Sequence, residues 1–122
     1  MDPNFAPGYN NWGVALAGLA RPEEAIAQYE RAAELDPEYT EAHSNWGLAL
    51  HEMRQYDAAA ARFERANASD PASAVVYYNW GRALHAQRDL TSALEKYGRA
   101  VEFDPDTFAF VSGRIETLRD TP

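Results

Sequence analysis

Three tryptophans, Trp12, Trp46 and Trp80, stand at a constant interval of 34 residues, and many other identities keep the same interval. Asn11, Asn45 and Asn79 do so, as do Gly13, Gly47 and Gly81, Ala15, Ala49 and Ala83, and Leu16, Leu50 and Leu84. Later in each unit come Ala25, Ala59 and Ala93, the aromatics Tyr29, Phe63 and Tyr97, and Ala32, Ala66 and Ala100. The pairs Asp36-Pro37, Asp70-Pro71 and Asp104-Pro105 close the units. This periodicity is the strongest constraint on the fold. Each unit must be one supersecondary element that buries its apolar face against its neighbours in a row. The copies occupy residues 6–39, 40–73 and 74–107 of a single domain, 1–122.

Within a copy, two helices are predicted. Tyr9, Trp12, Gly13 and Leu16 recur at i, i+3, i+4 and i+7, and Ala25, Tyr29 and Ala32 share a second helical face. Pro22 suits the first turn of the second helix, and Asp89 suits an N-cap. Each Asp-Pro ends a second helix, because proline disfavours helical geometry in the residue before it. A glycine inside a helix is less favourable than alanine by roughly 1 kcal/mol. Its recurrence at Gly13, Gly47 and Gly81 therefore predicts a close helix crossing with no room for a side chain. After the third copy, Phe110, Val111, Ile115 and Leu118 keep helical spacing, which predicts a capping helix over 108–119. The expected fold is all-α, with seven helices including the cap.

A 34-residue period with a Trp-Gly pair, a later alanine and aromatic, and a closing proline resembles the tetratricopeptide repeat (TPR) family. The resemblance runs from Ala6 to Thr107. It implies antiparallel helix pairs stacked into a right-handed superhelix, with the first helix of each pair lining a concave groove that holds a protein or peptide. Most such repeats have leucine where this chain has tryptophan.

Because successive helix residues point about 100° apart, the "NNWG" stretch divides between surfaces. Trp12 and Gly13 are expected to face inward, with all three tryptophans packed between a helix pair and the next repeat. The expected groove comprises Asn10, Asn11, Val14, Ser44, Asn45, Leu48, His51, Tyr78, Asn79, Arg82 and His85, with Ala17 beside them and Glu41, Glu52 and Val75 at its edges. An amide both donates and accepts, so the row Asn11, Asn45 and Asn79 suits the main chain of an extended ligand. The resemblance also implies that contact. A similar asparagine ladder belongs to the repeat arrays of O-linked N-acetylglucosamine transferases. The family's clamp for acidic chaperone tails falls here on Asn10, Val14, Asn45, Val75 and Asn79, without its cations. Such a tail is not the expected ligand.

Other chemistry finds little support. His51 and His85 occupy equivalent places, but two histidines lack the further ligands of a zinc site; His43 falls on the apolar face. With no cysteine there is neither disulfide nor thiolate chemistry. No nucleophile–base pattern, phosphate loop or carboxylate dyad stands out, so neither catalysis nor a cofactor or metal is expected. A net charge of −8 disfavours nucleic acid and anionic lipid as partners. Without an apolar run or signal sequence, a cytoplasmic, membrane-free chain is expected. "NAS" at Asn67–Ser69 matches a glycosylation sequon but closes a helix.

The leading expectation is a non-catalytic scaffold for a protein or peptide segment. Two alternatives stand beside it: a substrate-recruiting or regulatory array cut from a larger enzyme, such as a glycosyltransferase, and self-assembly through an open N-terminal end. Asp2-Pro3 lies one period before Asp36-Pro37. The chain is therefore expected to open on the tail of a further repeat, either as an excised segment or as an array that starts abruptly.

Overall fold

The structure, a computed structural model, describes residues 2–119, and those residues form eight helices and no strand. The helices are α1 (Ala6–Gly18), α2 (Pro22–Leu35), α3 (Thr40–Glu52), α4 (Tyr56–Ser69), α5 (Ala74–Ala86), α6 (Leu90–Phe103), α7 (Pro105–Phe108) and α8 (Phe110–Arg119). Three hairpins, α1–α2, α3–α4 and α5–α6, stack in chain order. Each second helix packs on the first helix of the next hairpin, while α1 touches α3 and α3 touches α5. The result is a helical-hairpin solenoid.

The repeated rows explain this architecture. Ala25, Ala59 and Ala93, and likewise Ala32, Ala66 and Ala100, are wholly buried, so the backbones approach closely. Between them the rings of Tyr29, Phe63 and Tyr97 are buried against the glycines of their own hairpins. A methyl group on Gly13 would stand 2.5 Å from the Tyr29 ring, and on Gly47 or Gly81 2.7 Å from Phe63 or Tyr97. Those glycines are the seats of the aromatic rings.

Local signals punctuate the helices. Pro22 opens α2, and the Asp89 carboxylate accepts from the Ser92 N–H at 3.2 Å. The first helices end in a shared turn. Arg21 N–H donates to Leu16 O and Ala20 N–H to Ala17 O, both at 3.0 Å, the paired bonds of a Schellman ending. This places Ala20, Arg54 and Arg88 at φ 59°, 62° and 67°, a left-handed region that ordinarily favours glycine. Asp36, Asp70 and Asp104 end the second helices, each accepting a backbone N–H two or three residues on.

Two expectations need correction. The tryptophans are not uniformly interior. Trp12 is 49% exposed, whereas Trp46 and Trp80 are half-buried. Trp46 packs against the cluster that includes Ala25 and Tyr29 of the preceding hairpin, and Trp80 against the one that includes Ala59 and Phe63. Among the described residues no hairpin packs on Trp12 from the N-terminal side. Cations close the outer faces: the Arg62 guanidinium lies 4.2 Å from the Trp46 ring centroid and the Lys96 ammonium 4.0 Å from that of Trp80. At the matching place for Trp12 stands Gln28, which carries no charge.

The second correction concerns the cap, which is two helices rather than one, making eight in all. Pro105 starts a single turn capped by Asp104, and the chain breaks at Ala109 before α8. Phe108 and Val111, three residues apart, both face inward, packed with Tyr97 and Ala100, while Ile115 lies alongside. The side chain of Leu118 lies outside the described residues. The segment α8 rests on α6 as a further first helix would, but one period after Gly81 it carries Ile115.

Filling the glycine seats should strain the core by roughly 1–3 kcal/mol, more than the gain in helix propensity of roughly 1 kcal/mol. Gly47→Ala should therefore lower the Tm. Gly98→Ala, in α6 with open space around it, should raise it. Thermal melts of the two variants followed by circular dichroism check the contrast.

Candidate functional site

Two depressions lie between neighbouring first helices. One, of about 190 Å³, is lined by Val14 and Ala17 of α1, Tyr29, and Asn45, Leu48, Ala49 and Glu52 of α3. Its neighbour, of about 350 Å³, is lined by Thr40, Glu41, Ser44, Asn45 and Leu48 of α3 with Ser73, Val75 and Val76. Asn45 and Leu48 belong to both. The depressions thus adjoin across α3 and offer exposed Val14 and Val75 flanking a central amide and leucine.

The eleven residues expected in a groove divide by placement. Val14, Ser44, Asn45 and Leu48 line the depressions. Asn10 does not present itself to solvent: it is 2% exposed, and its carbonyl oxygen accepts from Asn45 Nδ2 at 3.1 Å. First helices pack on one another as well as on their second helices, so the side of α1 opposite Trp12 is also covered. Asn79 is 6% exposed and Ser44 8%, leaving Asn45 as the half-exposed amide of its row. Asn11 is exposed and takes part in neither depression.

The third repeat's contribution is largely drawn into packing. Tyr78 sits among aromatics, its ring centroid 5.2 Å from Phe108, 5.7 Å from Phe110 and 5.9 Å from Tyr97. Arg82 lies over the Tyr78 ring and points a donor at the Asn79 carbonyl oxygen. His85 meets Tyr97 edge-on, and His51 meets Tyr56 in the same manner at 5.0 Å. Burial, helped by the charge of Arg82, lowers the pKa of His51. Among the described residues no three His, Asp or Glu side chains gather closely enough to hold a metal ion.

Thr40, Ser73, Val76 and Ala49 also line the depressions, although the sequence reading passed over them. Thr40 opens α3 and Ser73 caps α5, its hydroxyl accepting from Val76 N–H. Their position at helix starts, where a first helix emerges beside its predecessor, was the available signal.

His43 plays a structural part. It is 4% exposed, its Nε2–H donates to Pro37 O at 2.9 Å, and its ring stacks on Trp46. The same carbonyl accepts from Arg65 Nη2, which also pairs with Glu38, so α4 is tied to the preceding inter-repeat turn. Burial pushes the His43 pKa down, with Arg65 and Arg62 adding to the shift.

With this geometry in view, comparison with known proteins is direct. A family model described as "TPR repeat" matches residues 21–54, and one described as "Tetratricopeptide repeat" matches 44–107, more than half of the chain. The chain belongs to the tetratricopeptide repeat family. Among solved structures, the first TPR of Spaghetti (RPAP3), bound to the HSP90 peptide SRMEEVD, superposes with a TM-score of 0.89 at 21% identity. The match covers 98% of this chain and 94% of that one. The first TPR domain of human RPAP3 gives 0.84 at 20% identity, with 98% and 99% covered. MamA gives 0.80 at 25% identity, with 85% of this chain and 61% of that one covered. No curated protein matches the chain. As in TPR domains generally, the fold is one of protein interaction, and no helix among the described residues is long and apolar enough to cross a membrane.

A histidine whose folded pKa is depressed binds its proton more readily in the unfolded chain. Its stabilising contribution is complete above the unfolded value near 6.5 and is lost as pH falls from there toward the lower folded value. The Tm of the wild type should therefore drop between pH 7.5 and 5.5, and His43→Gln should flatten that slope, leaving the share due to His51. Melts at three pH values check this; equal slopes would remove His43 from the account.

Proposed function

We propose that this TPR domain is a non-catalytic scaffold that holds an extended peptide segment of a protein partner across α1, α3 and α5. The observation that carries the reading is the pair of adjoining depressions that meet at Asn45 and Leu48. In this reading Asn45 bonds a peptide unit of the ligand, since one amide both donates and accepts. Leu48, Val14 and Val75 receive apolar side chains on either side of it.

Charge narrows the ligand. The helices α1, α3 and α5 carry two acids, Glu41 and Glu52, and one cation, Arg82, already engaged with Tyr78 and Asn79. The structural neighbour that holds SRMEEVD binds an acidic sequence. This surface has no set of cations for such a tail and instead places Glu41 in one depression and Glu52 in the other. The proposed ligand is therefore aliphatic at its centre and neutral or basic at its flanks.

Peptides selected from a displayed random library against the wild type should lose all measurable affinity for Leu48→Glu. They should bind Asn45→Ala more weakly by roughly fivefold, the effect of about 1 kcal/mol for one hydrogen bond. Fluorescence anisotropy gives the affinities, and circular dichroism verifies that both variants keep their helices. Selected peptides that bind Leu48→Glu as tightly as wild type would place the site elsewhere.

A further inference from the structure

The carboxamide of Asn45 is the one polar side chain shared by both depressions, and its orientation is held from within the fold. Its Nδ2 donates to Oδ1 of Asn10 at 3.1 Å, across the contact between α1 and α3. Asn10 is 2% exposed, so water does not compete for that acceptor. Asn10 is itself oriented by Tyr39. Burial and the charge of Glu41 raise the Tyr39 pKa, and the Asn10 amide opposes the rise, as a donor facing the phenol oxygen does. With its Nδ2 directed at Tyr39, the carbonyl oxygen of Asn10 is the atom left for Asn45. An amide carries its oxygen and its nitrogen on different sides of one planar group. Fixing Nδ2 therefore aims Asn45 Oδ1 away from Asn10. No group among the described residues donates to that oxygen, and the residue is half-exposed.

The matching places one repeat on are built differently. Ser44 stands where Asn10 does, and Asn79 where Asn45 does. Asn79 is 6% exposed, and its Oδ1 is met by Arg82 Nη1 at 3.5 Å. Asn11, in the same row, lies outside both depressions. The row thus offers one open carbonyl, that of Asn45. Its surroundings accept as well: Glu41 and Glu52 bring carboxylates, and no Lys, Arg or His lines either depression. A ligand crossing this point must bring a donor, and an extended chain carries one in each main-chain N–H. We propose that Asn10 is a positioning residue: it turns the Asn45 carbonyl toward the ligand, so that the groove reads a main-chain N–H there and disfavours a residue lacking one. This role rests on the reading of the depressions as a peptide site.

A peptide selected on the wild type, whose binding Leu48→Glu abolishes, is the probe. Replacing its N–H groups one at a time by an ester oxygen removes a donor and adds no bulk. At one position the replacement should weaken binding to the wild type about fivefold. In Asn10→Leu the released Asn45 amide can turn away from the ester oxygen, so the loss there should shrink below about twofold. Asn10→Asp, which can only accept, should keep Asn45 Nδ2 turned inward and retain a loss of about fivefold. Fluorescence anisotropy gives the affinities, and circular dichroism verifies the helices of each variant. A merely structural Asn10 would weaken parent and ester peptides alike; an unchanged ratio in a folded Asn10→Leu overturns the role. A wild-type scan in which no ester weakens binding overturns it too, without any variant having to fold. Selected peptides that all bind Leu48→Glu as tightly as the wild type would remove the peptide site itself, and the role with it.

Discussion

The contact between a glycine of each first helix and an aromatic ring of its second helix sets the rest of the structure. A β-carbon at Gly13, Gly47 or Gly81 would overlap the ring of Tyr29, Phe63 or Tyr97. The ring therefore fixes how near the two helices come and which residues face each other along them. Because the ring is held, the alanines one turn either side, such as Ala59 and Ala66 around Phe63, are forced into full burial. Their small size then lets the next hairpin settle close enough for its first helix to touch the previous one. That second layer of contact between first helices creates the shallow surface proposed to receive a ligand.

The hairpins, their order and their closing turns were legible in the sequence because steric rules act locally. A glycine inside a helix, a proline after an aspartate and a 34-residue interval each have one economical explanation. The site was less legible. Asn10 stands opposite the obvious apolar face, and a single helix viewed alone assigns it to solvent. In the solenoid that opposite face meets α3, so Asn10 becomes an internal hydrogen-bond partner of Asn45. Equivalent positions are not equivalent environments. Asn11, Asn45 and Asn79 run from exposed to buried because each has a different neighbour, and Trp12 differs from Trp46 for the same reason.

Polar groups connect the layers that the apolar rows stack. The Pro37 carbonyl receives one donor from His43 on α3 and another from Arg65 on α4, so the inter-repeat turn is bonded to both helices of the following hairpin. Apolar rows alone tolerate sliding; a carbonyl shared by two directional donors does not. The cation–aromatic pairs at Trp46 and Trp80 act at the outer edge, where aliphatic stems cover ring faces that a solenoid of narrow hairpins leaves open.

Near-identical repeats carry a hazard of their own, since any first helix could in principle dock in the place of another. Ile115 bears on this hazard at one end of the array. Standing in the glycine row, its branched side chain cannot enter the space that Tyr29, Phe63 or Tyr97 occupies against a first helix. The segment α8 would strain that contact in the place of α1, α3 or α5, yet it lies on α6, where its isoleucine packs against the cluster of Val111 and Tyr97. One side chain sets the last helix apart from the three first helices before it.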